Sequence, residues 1–309
     1  MLENKLNLFA LLLLLLSLQV NAQGAGPRTN FLTPVDNKSI AFTYLDVDSN
    51  FRFGQSDTFG KADINTQTAI VSYSQRFSLF GRFAQLGLSA SYAEVGFKAN
   101  PDSVEGGLTT TVLTRRGAGD PVVSFRLGLM GAPALTPEQW RGYHKGFHMY
   151  AMLGLLVPIG HYDNTRAINT GFNRWGYQLG LPMVIPLEKT RRNTFLEITP
   201  QVNIYADNTD PFGNVNRLSQ DPLYSLELQA SHKFTRRFWV SLGFQYQNGG
   251  RTIADGIPND NKLDQWLGEL ALGYIVNARF ALLGSYGKIF EQKNNARGDM
   301  LRVRLVTMF

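Results

Sequence analysis

The chain has 309 residues, 44% hydrophobic, 17% charged and 12% aromatic, with 30 glycines and no cysteine. Without cysteine there are no disulfides, thiolate metal sites or lipidated cysteine behind a signal peptide; a formal charge of +6, scattered through turns and strand ends, does not make the clustered basic surface of a nucleic-acid binder. A mean hydropathy of -0.15 argues against a helical membrane protein, which needs apolar runs of about 20 residues. A strand barrel spreads its apolar residues over alternate positions and keeps the average low.

The first element is the one continuously apolar stretch, Leu8 through Leu16, followed by Val20-Asn21-Ala22-Gln23. Its length and small flanking residues predict a signal peptide over residues 1–22, cleaved after Ala22, rather than a buried N-terminal helix. A polar lead over 23–38 follows, expected to sit in the periplasm. From there the chain alternates. In Phe238 to Gln247 the even positions are Phe, Val, Leu, Phe and Tyr, while Ser241, Gly243, Gln245 and Gln247 fall between them. A period of two puts the sets on opposite faces of a strand.

About twelve such segments are predicted, at 39–47, 66–77, 82–94, 120–131, 146–157, 174–186, 194–206, 222–233, 237–247, 264–276, 279–290 and 298–309. Each is near the length that a tilted strand needs to cross hydrocarbon. Aromatics gather near segment ends, among them Tyr92, Tyr205, Tyr224, Phe280 and Tyr286, as an interfacial girdle requires. Short connectors such as Ser78–Gly81 and Asn277-Ala278 alternate with long ones such as Asp48–Asn65, Gly96–Gly119 and Asn248–Leu263. That asymmetry belongs to outer-membrane barrels. The Ala132–Lys145 connector is long for the short-turn side, and Thr136-Pro137-Glu138-Gln139-Trp140 predicts a small helix there. The expected fold is therefore all-β: a transmembrane antiparallel up-and-down β-barrel over 39–309, in the bacterial outer membrane, with both termini periplasmic. Phe309, in phase with the apolar face, resembles the signal read by the barrel insertion machinery. The alternative, a soluble β-sandwich or small barrel, does not accommodate about twelve strands with this loop asymmetry.

Several segments also resemble a known family. These are Gly117-Ala118-Gly119-Asp120-Pro121, Gly131 to Leu135, Val157 to Tyr162, Asn173-Arg174-Trp175, Asp221 to Leu226, Gly249 to Thr252 and Asn259-Asp260. In order and spacing they are similar to the bacterial outer-membrane proteins described as "putative MetA-pathway of phenol degradation". The resemblance implies an outer-membrane barrel with a role in uptake of aromatic or other hydrophobic compounds, and it carries no site residues with it.

With apolar residues outward, the inward set includes Arg126, Glu197, Glu227, Glu269, Arg302 and Arg304, with Gln85, Gln178, Gln201, Gln229 and Gln245. Two readings stand: a hydrogen-bonded ladder filling the interior, or a constriction that orients a solute. No cofactor or metal is expected. Only His144 and His148 have ligand spacing, and their region reads as turn and strand. Ser231 and His232 fall on opposite strand faces, so they do not make a nucleophile and base. The loop acids Asp207, Asp210, Asp255, Asp260 and Asp264 read as turn chemistry before cation ligands. Pro158, Pro182 and Pro200 interrupt strand patterns and predict bulges or local openings in the wall, through which an apolar solute would leave sideways. The functional expectation is passive passage of small, hydrophobic or aromatic molecules, with lipid, lipopolysaccharide and a solute as partners; the alternative is a structural or adhesion barrel with a filled lumen.

Overall fold

Strands with one apolar and one polar face leave two edges unpaired unless the sheet closes on itself. Here it closes. The computed structural model describes residues 25–52, 61–100, 111–143, 146–189, 193–292 and 297–309. The signal-peptide assignment, His144 and parts of the expected connectors around 48–65, 96–119, 187–193 and 291–297 lie outside these residues.

The wall runs β1 (Lys38–Arg52), β2 (Lys61–Leu79), β3 (Arg82–Asn100), β4 (Thr111–Ala118) with β5 (Val122–Met130), β6 (His148–Leu156), and β7 (Gly176–Gly180) with β8 (Met183–Pro186). It continues through β9 (Thr194–Tyr205), β11 (Leu223–Lys233), β12 (Phe238–Gly249), β15 (Leu263–Ile275), β16 (Phe280–Gln292) and β17 (Arg297–Met308), which pairs back onto β1. Every pairing is antiparallel, and β4/β5 and β7/β8 each fill one position, so the barrel has twelve strands. The seam is complete to its last residue: the Phe309 amide donates to the Lys38 carbonyl and the Lys38 amide to Phe309.

The apolar phase faces out. Phe42, Leu242, Leu272, Leu301 and Phe309 are exposed on the outer surface, where lipid takes the place of a protein core. Tyr92, Tyr224, Phe280 and Tyr286 are likewise exposed, in keeping with a girdle. Tyr205 is an exception: it faces inward and carries the Arg174 guanidinium 4.9 Å from its ring centroid. At the short-turn end Phe80 and Gly81, both at positive φ, reverse the chain between β2 and β3 in a two-residue loop.

Three features depart from the sequence reading, and a fourth agrees with it. The expected loop 96–119 contributes β4, which pairs with β3. The expected loops after β9 and β12 form a small three-stranded sheet of β10 (Leu218–Gln220), β13 (Thr252–Ala254) and β14 (Ile257–Pro258). The expected helix is present as α1 (Pro137–Gly142), where Thr136 and Gln139 cap each other reciprocally. Finally, the prolines neither bulge nor open the wall: the pairing register runs unbroken past Pro182 and Pro200. Pro182 separates β7 from β8, yet its carbonyl accepts from the Tyr150 amide and the Leu181 amide donates to Pro200. Pro158 lies beyond the end of β6, where the Val157 amide still bonds the Pro121 carbonyl. A sideways exit at these prolines is not supported by this wall.

Candidate functional site

The inner face of the barrel holds the six charged residues that the alternation placed there, and four of them bind the chain's own N-terminal segment. The lead before β1 is not a free tail. Residues 25–35 run inside the barrel without forming a strand or helix, which leaves their backbone groups to be satisfied by the wall.

Two carboxylates take the amides. Glu227 Oε2 accepts from the Ala25 amide at 3.1 Å and its Oε1 from the Gly26 amide at 3.1 Å. Glu197 Oε1 accepts from the Arg28 amide at 2.6 Å and its Oε2 from the Asn30 amide at 3.3 Å. Two guanidiniums take the carbonyls: Arg126 Nη1 donates to Thr29 at 2.8 Å and Arg304 Nη1 to Ala25 at 3.0 Å. Charged partners make these the stronger kind of hydrogen bond. The remaining pair bond each other, with Arg302 Nη1 and Glu269 Oε1 3.2 Å apart. Gln229 ties this pair to the plug by donating to Glu269 Oε2 at 3.0 Å and to Glu227 Oε1 at 3.3 Å.

Gly26 is fixed by the close approach of Arg302. Its φ is +80°, and a Cβ built there would lie 2.2 Å from Arg302 Nη1. Arg28 stacks over Phe31 and Trp239 at 4.8 and 4.9 Å, and Phe31 meets Phe195 at 4.9 Å between ring centroids. Toward the short-turn end, Leu32 and Val35 are buried with Phe83, Ala132 and Tyr150. The connector carrying α1 closes over them, its Leu135 carbonyl accepting from the Val35 amide at 2.9 Å and its Trp140 packing against the cluster. His148, singled out for its spacing to His144, points into the same place. Its Nε2 accepts from the Leu32 amide at 3.3 Å, a structural role. No group of three or more His, Cys, Asp or Glu is placed to hold a metal ion among the described residues.

Above the segment, toward the long loops, the inner wall changes character. β1, β2 and β3 have 15, 19 and 19 residues, longer than the roughly 9–11 that a spanning strand needs. Their upper inward positions are largely apolar: Leu45, Ile64, Val95 and Phe97 are buried there, with Thr66 among them. The expected uniformly polar lumen is therefore corrected on this side. A cavity directly above the segment has Glu227, Glu269 and Arg302 in its floor and Val47, Leu267, Ile289 and Met300 with Gln245 in its sides. The sequence signal for the apolar side was present in the inward phase of Val95 and Phe97. It lay beyond the predicted strand end at residue 94 and was read as loop.

The family segments meet at the loop end. Buried Asp120 accepts from the Gly160 amide through Oδ1 and the Phe172 amide through Oδ2, each at 2.7 Å. Gly160 must be glycine here, since a Cβ would lie 2.7 Å from the Asp120 amide nitrogen. Arg174 donates to Gln220, and Arg251 pairs with Asp221 at 3.0 Å, which joins the loop before β7 to the small sheet. Loop acids do turn and loop work: Asp255 accepts from the Asn216 and Arg217 amides, and Asp207 pairs with Arg217. Hydrogen bonds from the Thr165 hydroxyl and amide, with Arg166 beside it, hold the Asp163 carboxyl below its usual range. Arg115 pairs with the same carboxylate at 3.3 Å.

A closed twelve-strand antiparallel wall with apolar exterior and charged interior defines the class: this is a β-barrel of the outer-membrane type. The chain belongs to the family described as "Putative MetA-pathway of phenol degradation", whose profile matches residues 39–305. Among solved structures it is similar to the COG4313 outer membrane channel from Pseudomonas putida F1, with 19% identity over 93% of this chain and 100% of that one, at a TM-score of 0.73. It is also similar to the transport unit of the autotransporter AIDA-I from Escherichia coli, with 8% identity over 97% of each chain and a TM-score of 0.61. At these identities the likeness shows the fold. Among curated protein sequences, none matches.

Proposed function

We propose that the protein is an outer-membrane channel for passive passage of small, hydrophobic or aromatic molecules, and that its N-terminal segment closes the inner half of the lumen. The observation that carries this reading is the apolar-sided cavity above the segment, inside a barrel whose wall is otherwise hydrogen-bonded throughout. A solute entering between the long loops would meet Ile64, Val95 and Phe97 before reaching Arg302, which pairs with Leu45 across the seam. The family's description points to phenol degradation and the Pseudomonas putida barrel is described as a channel, which agrees with this reading. Movement follows the concentration gradient, with no catalytic step. Both termini lie on the periplasmic side, the apolar exterior contacts lipid and lipopolysaccharide, and Phe309 is the residue offered to the insertion machinery.

The second reading, a structural or adhesion barrel, has one observation in its favour: the segment fills the inner half of the lumen. Uptake of a labelled aromatic by cells with and without the chain separates the two. The channel reading expects faster uptake with it, in proportion to expression. Equal rates at confirmed surface expression would leave the structural reading.

A further inference from the structure

The upper lumen has two unlike walls. Leu45, Val47, Ile64, Val95 and Phe97 project inward from β1, β2 and β3. Diametrically across the twelve-strand ring, the inward positions of β9, β11 and β12 carry Gln201, Asn203, Ser225, Gln245 and Gln247. None of these five is charged, although Glu227 sits directly beside Gln245 in the ladder, and Glu197 and Glu269 lie nearer the short-turn end. Asn203 Nδ2, Ser225 Oγ and Gln245 Nε2 are buried and have no hydrogen-bond partner. Buried amides are nearly always satisfied, so unpartnered donors facing a cavity call for an acceptor that is not part of the protein.

Gln245 is the best placed of the three. It is 6% exposed and lines the cavity whose other side is Val47, Leu267, Ile289 and Met300. We infer that this cavity is a binding site for a small neutral amphiphile: an apolar body lying against Val47, Leu267, Ile289 and Met300, with a hydroxyl, ether or carbonyl oxygen accepting from Gln245 Nε2. The assignment rests on the channel reading for its place on a transport route, and it narrows the class of solute. A pure hydrocarbon leaves the Gln245 amide unsatisfied. A carboxylate meets three carboxylates, Glu227, Glu269 and Asp299, against two cations, Arg302 and Lys288, which Glu269 and Asp299 already engage. The site therefore discriminates by head group, against both neighbours of the alcohol in polarity.

The test is photolabelling of the full mature chain in lipid nanodiscs. Three probes share one diazirine-bearing ring and differ at one position: a benzyl alcohol, the corresponding benzoic acid and the hydrocarbon without a polar group. The site predicts that the alcohol labels lumen positions of β15, β16, β17 and β1 at least about fivefold more than either analogue, roughly the discrimination one hydrogen bond supplies. Gln245→Met, which keeps the volume and removes the donor, brings the alcohol down to the hydrocarbon's level. Gln245→Leu serves as the second variant, and resistance of the barrel to denaturation in detergent shows that each has folded. Labelling that ignores the head group, or a preference that survives both substitutions, overturns the assignment. Labelling as expected in a barrel that passes no solute supports the site and removes the channel reading. Solute passage without head-group preference removes the site and leaves the channel.

Discussion

Removing residues 25–35 raises single-channel conductance from rare, brief openings to a sustained open level. The segment occupies the inner lumen without contributing to the wall, whose β1–β17 seam begins at Lys38. The deletion therefore empties the barrel and leaves the ring intact. A graded version makes the prediction quantitative. Glu197→Ala withdraws the acceptor from the Arg28 and Asn30 amides. At about 1.5 kcal/mol for each charge-assisted bond, the loss is roughly 3 kcal/mol, or a fall of about 150-fold in the ratio of closed to open barrels. Glu227→Ala acts through Ala25 and Gly26 and should give an effect of the same order. Planar-bilayer recording of each purified variant checks the series. Conductance that is the same with and without residues 25–35 would mean that the segment does not limit passage.

The second large effect concerns the outer face. Leu242 is 55% exposed, midway along β12, and flanked on the same face by Ala230 and Leu270. Placing arginine there puts a guanidinium into hydrocarbon, at a cost of about 2–4 kcal/mol near the bilayer midplane. One residue away, Ser241 faces inward and donates to Gln229 and the Ala230 carbonyl. Ser241→Ala costs about 1 kcal/mol, the net value of a neutral hydrogen bond. Reversible urea unfolding of vesicle-embedded barrels measures both. A near-zero cost for Leu242→Arg would place that face in water and invert the assignment of inside and outside.

Much of the wall was legible because a two-residue period reports which face a side chain takes, and lipid outside leaves no ambiguity about which set points out. The six inward charges follow from that parity alone. Their partner did not. Residues 25–35 have no periodicity, and their hydrogen bonds run to residues more than ninety positions away, such as Glu197 and Arg126, so no local pattern reports them. Gly26 is legible only afterwards, once Arg302 is seen against it. The upper parts of β2 and β3 were cut short because Asn65, Gly96 and Lys98 break the apolar outer phase there. At those positions the outer face is no longer apolar and only the inner face, with Ile64, Val95 and Phe97, keeps the period. The family segments read as separate stretches in sequence; in space Asp120, Gly160 and Arg174 belong to the hydrogen-bonded loop end.

The most direct test of the closed lumen uses the chain's lack of cysteine. Asn30 Nδ2 lies 3.2 Å from Thr199 Oγ1, so Asn30→Cys with Thr199→Cys places two unique thiols side by side. Planar-bilayer conductance of that double variant, recorded oxidised and then after reduction, is the measurement. A barrel wholly silent when cross-linked, with rare, brief openings returning once it is reduced, is the predicted result. Equal conductance in the two states would show that solutes and ions pass a segment held in place, contradicting its role as the closure.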